Sequence, residues 1–71
     1  MDLTGKVTQV FAYQEAFAAW GQIDNVWYQI EPGAGADSVA NMLVVLTKAR
    51  GSGDTVRVSI NGSNHIYYVY Y

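Results

Sequence analysis

The side chains with most chemistry to offer in this chain are aromatic: two Trp, six Tyr and two Phe stand beside a single histidine. Tyr13, Trp20 and Trp27, with Tyr67 further on, are candidates for a binding platform. Aromatic faces stack on sugar rings and on nucleobases alike, so the rings by themselves do not name the ligand. Cations separate the two. A single-strand nucleic-acid binder interleaves its rings with Lys and Arg along a groove, whereas Lys6, Lys48, Arg50 and Arg57 are scattered over three predicted elements. Sugars need only rings and polar groups such as Asn25, Gln29, Asn61 and Asn64. The candidate ligand-binding residues are therefore Tyr13, Trp20, Trp27 and Asn64, with a carbohydrate as the expected ligand.

Catalytic patterns are missing from the sequence. It shows no close carboxylate pair, no nucleophile beside a base and no metal-ligand cluster. Gly33-Ala34-Gly35 precedes a predicted helix but lacks the lysine of a phosphate loop, and His65 stands alone beside a turn. The expectation is a non-enzymatic protein without cofactor or metal.

Composition bounds the class. Seventy-one residues, 51% of them apolar, make one small domain over 1–71. A chain this short hides only about 60% of the surface its unfolded form exposes. Disulfides, a metal or self-association usually reinforce such domains. With no cysteine and one histidine, self-association is the remaining route. The net charge of −2 counts against a nucleic-acid partner, since phosphate neutralisation dominates that affinity. No apolar run approaches the roughly 20 residues of a membrane span. Met1-Asp2-Leu3-Thr4 lacks the basic and apolar regions of a signal peptide, which leaves open a cytoplasmic chain or the mature part of a secreted one.

Patterning sets the elements that must position these side chains. Gly5 to Tyr13 reads as a strand, with Val7, Gln9, Phe11 and Tyr13 on one face. After a turn at Gln14-Glu15, Ala16 to Trp20 reads as a second strand and Gly21 to Asn25 as the next turn. Val26 to Glu31 is the third strand. Pro32-Gly33-Ala34-Gly35 breaks it, Asp37 is the expected N-cap, and Ser38 to Arg50 is the single helix. Val39, Met42, Leu43, Leu46 and Ala49 form its core stripe, and Gly51 is the expected C′ residue. Thr55 to Ile60 alternates cleanly, with Val56, Val58 and Ile60 inward. Asn61 to Asn64 is a hairpin turn with Gly62 expected at positive φ, and His65 to Tyr71 closes the chain. Five strands with a helix between the third and fourth are the signature of the OB-fold, a partly open Greek-key barrel.

Some apolar surface exceeds what one barrel needs. Val44 lies opposite the helix's core stripe and Val45 on its flank. The last strand carries Ile66, Tyr68 and Tyr70 on one face and Tyr67, Val69 and Tyr71 on the other, with no charge to guard an edge. Tyrosine suits a contact surface because it buries a ring and keeps a hydroxyl for bonding. Val44, Val45, Tyr67, Tyr68, Tyr70 and Tyr71 are therefore the expected oligomer interface.

Thr4-Gly5-Lys6-Val7 opening the first strand, the three-strand meander, the helix from Val39 to Arg50, Gly51, and Thr55-Val56-Arg57-Val58 leading into an aromatic last strand resemble the B subunits of Shiga-type bacterial toxins. The resemblance spans nearly the whole chain. It implies an OB-fold protomer in a homopentameric ring, helices lining the pore, lectin-like binding of cell-surface glycans, an A-type partner chain, and a secreted or periplasmic setting. The chain departs from that family in having no cysteine, only Gln14-Glu15-Ala16 after the first strand, and no tryptophan before the helix. No glycan-contact residue carries over. Two other roles remain open at the level of sequence: a small single-stranded nucleic-acid binder, and a structural or inhibitory module whose aromatic strand adds to another protein's sheet.

Overall fold

A computed structural model describes residues 1–13 and 18–71. Its order is β1 (Asp2–Ala12), β2 (Ala19–Ile23), β3 (Val26–Ile30), a 3-10 turn (Pro32–Ala34), α1 (Ala36–Ser52), β4 (Thr55–Ile60) and β5 (His65–Tyr70). The strands close into a barrel in the order β1-β2-β3-β5-β4. All pairs are antiparallel except β3 with β5, which run parallel and meet only at Gln29–His65 and Ile30–Ile66. The architecture is mainly β, an OB-like five-stranded barrel with its helix between the third and fourth strands.

One apolar core joins the helix to the barrel. Val39, Leu46 and Ala49 from α1 meet Val7, Ile23, Ile30, Val56, Val58, Ile60 and Ile66 from the strands, with Met42 and Leu43 packed against them. The helical stripe read from sequence is thus the face that packs. Gly21 explains how closely. A Cβ there would stand 2.8 Å from Leu46 Cδ1, so the missing side chain is the seat for Leu46. That use of glycine corrects the expected turn at Gly21 to Asn25. β2 continues through Gly21 to Ile23, and the turn shrinks to Asp24 and Asn25 at φ 49° and 69°. Two left-handed residues make the tight connection that suits strand twist. The predicted second strand's first residues, Ala16 and Phe17, and the turn at Gln14-Glu15 lie outside the described residues.

The helix is longer than expected at both ends. Gly35, at φ 94°, is its N-cap in place of Asp37, which sits inside the first turn where its charge suits the helix dipole. At the other end α1 runs through Gly51, and Gly53 at φ 75° caps it by donating its N–H to Ala49 O. In the β4–β5 turn the left-handed residue is Asn64 rather than Gly62. Asn61 Oδ1 accepts from Ser63 N–H and His65 N–H, and this side-chain turn sets the bend.

Two bulges reassign faces that strict alternation gets wrong. In β1, Val7 pairs with Ile23 and Gln9 with Gln22, leaving Thr8 as an extra residue. Val7 and Val10 therefore point to the core, while Gln9, Phe11 and Tyr13 are exposed; Val7 does not share their face. In β5, Ile60 pairs with Ile66 and Ser59 with Tyr68, so Tyr67 is the extra residue. Ile66 and Val69 turn inward, and Tyr68 and Tyr70 turn outward. Ser59, read as outward, is covered because its hydroxyl donates to Asp2 Oδ1 at 2.6 Å.

Candidate functional site

Register across β1, β2 and β3 assembles a surface that no stretch of sequence displays. Gln9, Gln22 and Trp27 form one cross-strand row, and Phe11, Trp20 and Gln29 form the next. Residues two apart on a strand share a face, so three rings and three amides tile the outer side of the sheet. Tyr13, just past β1, joins the rings. Phe11 lies 5.7 Å from Trp20, 6.5 Å from Trp27 and 5.0 Å from Tyr13, all edge to face. Tyr13 and Trp20 are 5.6 Å apart at 88°. The quadrupole of each ring favours these steep angles. Together Phe11, Tyr13, Trp20 and Trp27 line a shallow cavity of about 320 Å3.

The polar members are fixed differently. Thr8, the bulged residue, receives Asn25 N–H and donates its own hydroxyl to Gln22 Oε1 at 2.6 Å. Gln22 is thereby held and is almost fully buried. Gln9 is exposed and Gln29 half-buried on the same face. Among the described residues, no Lys or Arg lines the cavity. Arg50 Nε reaches back to Thr8 O, and Arg57 stacks its guanidinium 4.4 Å above the Tyr70 ring on the β4–β5 side.

The expected binding residues divide accordingly. Tyr13, Trp20 and Trp27 come together, and Phe11 completes them. Phe11 is outside the expected set although alternation already puts it on one face with Tyr13; that spacing of two is the signal that marks it. Asn64 lies in the β4–β5 turn and does not line this cavity.

A larger open groove of about 770 Å3 runs between α1 and β5. Met42, Val45 and Val69 are among its apolar walls, with Tyr67 and Tyr68 on the β5 side and Glu31 and Asn61 among its polar groups. Val44, Tyr68 and Tyr71 are each 57–58% exposed, and Tyr67 and Tyr70 about 40–44%. Tyr68 and Tyr70 stack at 6.2 Å, while Tyr71 bonds through its hydroxyl to Ser52 Oγ and Asp54 Oδ2. Of the expected interface residues, Val45, Tyr67 and Tyr68 line this groove, whereas Val44, Tyr70 and Tyr71 are exposed outside its lining.

Glu31 ties the polar part of this groove together. Its Oε2 accepts Gly33 N–H at 2.7 Å, and Oε1 accepts Asn61 Nδ2 at 2.8 Å and lies 3.1 Å from His65 Nδ1. The Gly33 amide first, then His65 and Asn61, hold its carboxyl below the usual glutamate range. These bonds join β3, the 3-10 turn and the β4–β5 turn. Among the described residues, no group of three or more His, Cys, Asp or Glu is placed to hold a metal ion, and no helix is long and apolar enough to cross a membrane.

Compared with protein-family models, with curated proteins and with solved structures, the chain matches none.

Proposed function

We propose that this chain is a non-enzymatic binding module, a homopentameric ring-former resembling toxin B subunits, that recognises cell-surface carbohydrate. The observation that carries the reading is the open cavity of Phe11, Tyr13, Trp20 and Trp27, with no cation among the described residues of its lining. The outer side of strands 2 and 3 and the first loop are where OB-folds take oligosaccharides and oligonucleotides. Stacking rings serve both ligands, and the missing cations favour the sugar.

Assembly uses the other side of the molecule. β3 accompanies β5 only as far as Ile66, so beyond it Tyr68 and Val69 have β4 on one side and the α1 groove on the other. A neighbouring copy covering Val44, Val45 and Tyr67 to Tyr71 removes an exposed aromatic surface from water. It leaves the aromatic cavity of each protomer open. Many identical weak sites on one ring then act through avidity, and an A-type chain is a further partner in this reading.

Sedimentation equilibrium and a glycan array test the two halves. A five-fold mass and binding to at least one glycan are expected. A monomer at micromolar concentration ends the ring, and silence across galactosylated, mannosylated and sialylated panels ends the lectin. The position of the aromatic face on an OB-like barrel also favours a second reading, single-stranded nucleic-acid binding. Salt-sensitive quenching of Trp20 and Trp27 by oligo-dT would select it. A third, strand addition of β5 to another protein's sheet edge, would show as a stable complex with the native host partner that Tyr68→Asp abolishes.

A further inference from the structure

We infer that the glycan taken by the β1–β2–β3 face is uncharged, and that Gln29, seconded by Gln9, supplies the hydrogen bonds that orient it over the rings. This rests on the carbohydrate reading above and narrows it to a ligand class and two specificity residues. The register places Gln29 beside both tryptophans: opposite Trp20 on β2 and two residues from Trp27 on its own strand. Gln9 holds the matching place beside Phe11 and opposite Gln22. Each end of the aromatic stripe therefore carries an amide, a group that both donates to and accepts from sugar hydroxyls.

Three physical terms act against an acidic sugar. The ring faces present the negative side of their quadrupole. A carboxylate or sulfate brought against them leaves water, and the described residues of the lining offer no Lys or Arg to pair with it. The chain as a whole carries a net charge of −2, which repels anions at longer range. A neutral pyranose meets none of these penalties. Its C–H face lies on a ring while its hydroxyls reach the amides. Gln22 adds rigidity rather than contact, since Thr8 already holds its carbonyl oxygen.

The chain contains two tryptophans and both line the cavity, so intrinsic fluorescence reports this site directly. The intact protein is titrated with polymer-linked galactose-, glucose- and mannose-terminated oligosaccharides, and with sialylated counterparts of the galactose series. A spectral change with at least one neutral polymer is expected, together with binding of its sialylated form weaker by about tenfold or more. Gln29→Leu and, separately, Gln9→Leu should each weaken the neutral ligand, Gln29→Leu by about tenfold, as for loss of a hydrogen bond. Unchanged far-UV circular dichroism separates this loss from unfolding. Sialylated ligands that bind as tightly as neutral ones overturn the inference while leaving the carbohydrate reading intact. Leu variants at both positions that stay within twofold of the parent overturn it as well. Failure of every glycan to move the fluorescence overturns the carbohydrate reading itself.

Discussion

Phe11 and Trp20 face each other across the β1–β2 ladder, their ring centroids 5.7 Å apart at 61°. Phe11 also touches Tyr13 and Trp27, so it is the hub of the aromatic surface. Phe11 itself is 45% exposed. Phe11→Ala should lower stability by only about 1–2 kcal/mol, the scale of a few edge-to-face contacts. Glycan binding should fall much further, because the hub positions the other three rings. Denaturant unfolding and a binding titration on the same variant check this, and a binding loss no larger than the stability loss contradicts it.

Gly21 and Leu46 form a matched pair. Leu46→Ala should cost about 2–5 kcal/mol, as for other core deletions. Gly21→Ala drives a methyl toward Leu46 Cδ1 and should cost about 1–3 kcal/mol. The double variant should be more stable than the sum of the two losses implies, because the methyl added at 21 fills space that Leu46→Ala vacates. A double-mutant cycle in guanidinium measures it, and strict additivity refutes the seat.

Val44→Asp and Tyr70→Asp test the assembly surface. Both side chains are exposed in the protomer, so neither change should unfold it. In a ring each would bury an unpaired charge, and sedimentation should show dissociation. A ring mass unchanged in both variants removes Val44 and Tyr70 from any contact.

Acid should weaken the fold through Glu31. Its carboxyl is held lower in the folded protein than the ordinary value of about 4.3, so the unfolded chain binds that proton more readily. The stabilisation is therefore complete above about pH 4.3 and is lost as pH falls through the lower folded value. Glu31→Gln should remove this part of the acid dependence and flatten the melting temperature against pH in that window. A curve that keeps the parent's slope argues against the Gly33, Asn61 and His65 bonds as its source.

Much of the barrel was legible in the chain. β4 alternates from Thr55 to Val58, and the stripe from Val39 to Ala49 marks the packing face of α1, since there the local period matches the burial; Ser59, covered beside Asp2, breaks it. Thr8 and Tyr67 were not legible. Val7 to Val10 and Ile66 to Val69 each step by three where a strand steps by two, and only the partner strand reveals which residue has no opposite. Gly21 misled for a related reason: a glycine that admits Leu46 looks, in isolation, like a glycine that bends the chain. The tiled face of rings and amides depends on register among three strands, so Gln9 and Gln22 gave no sign of belonging with the tryptophans. Asn64 offered an amide like theirs, but its place was set by the bend it makes.

Thr8 and Tyr67 have one more property in common. Strike either from its strand and the remaining residues fall into perfect two-step order, every inward side chain still inward. Neither is required by the sheet, and each is spent elsewhere: Thr8 clasps the Gln22 amide, and Tyr67 helps wall the channel beside α1. The two surfaces that make this barrel more than a scaffold thus each owe a part to a supernumerary residue.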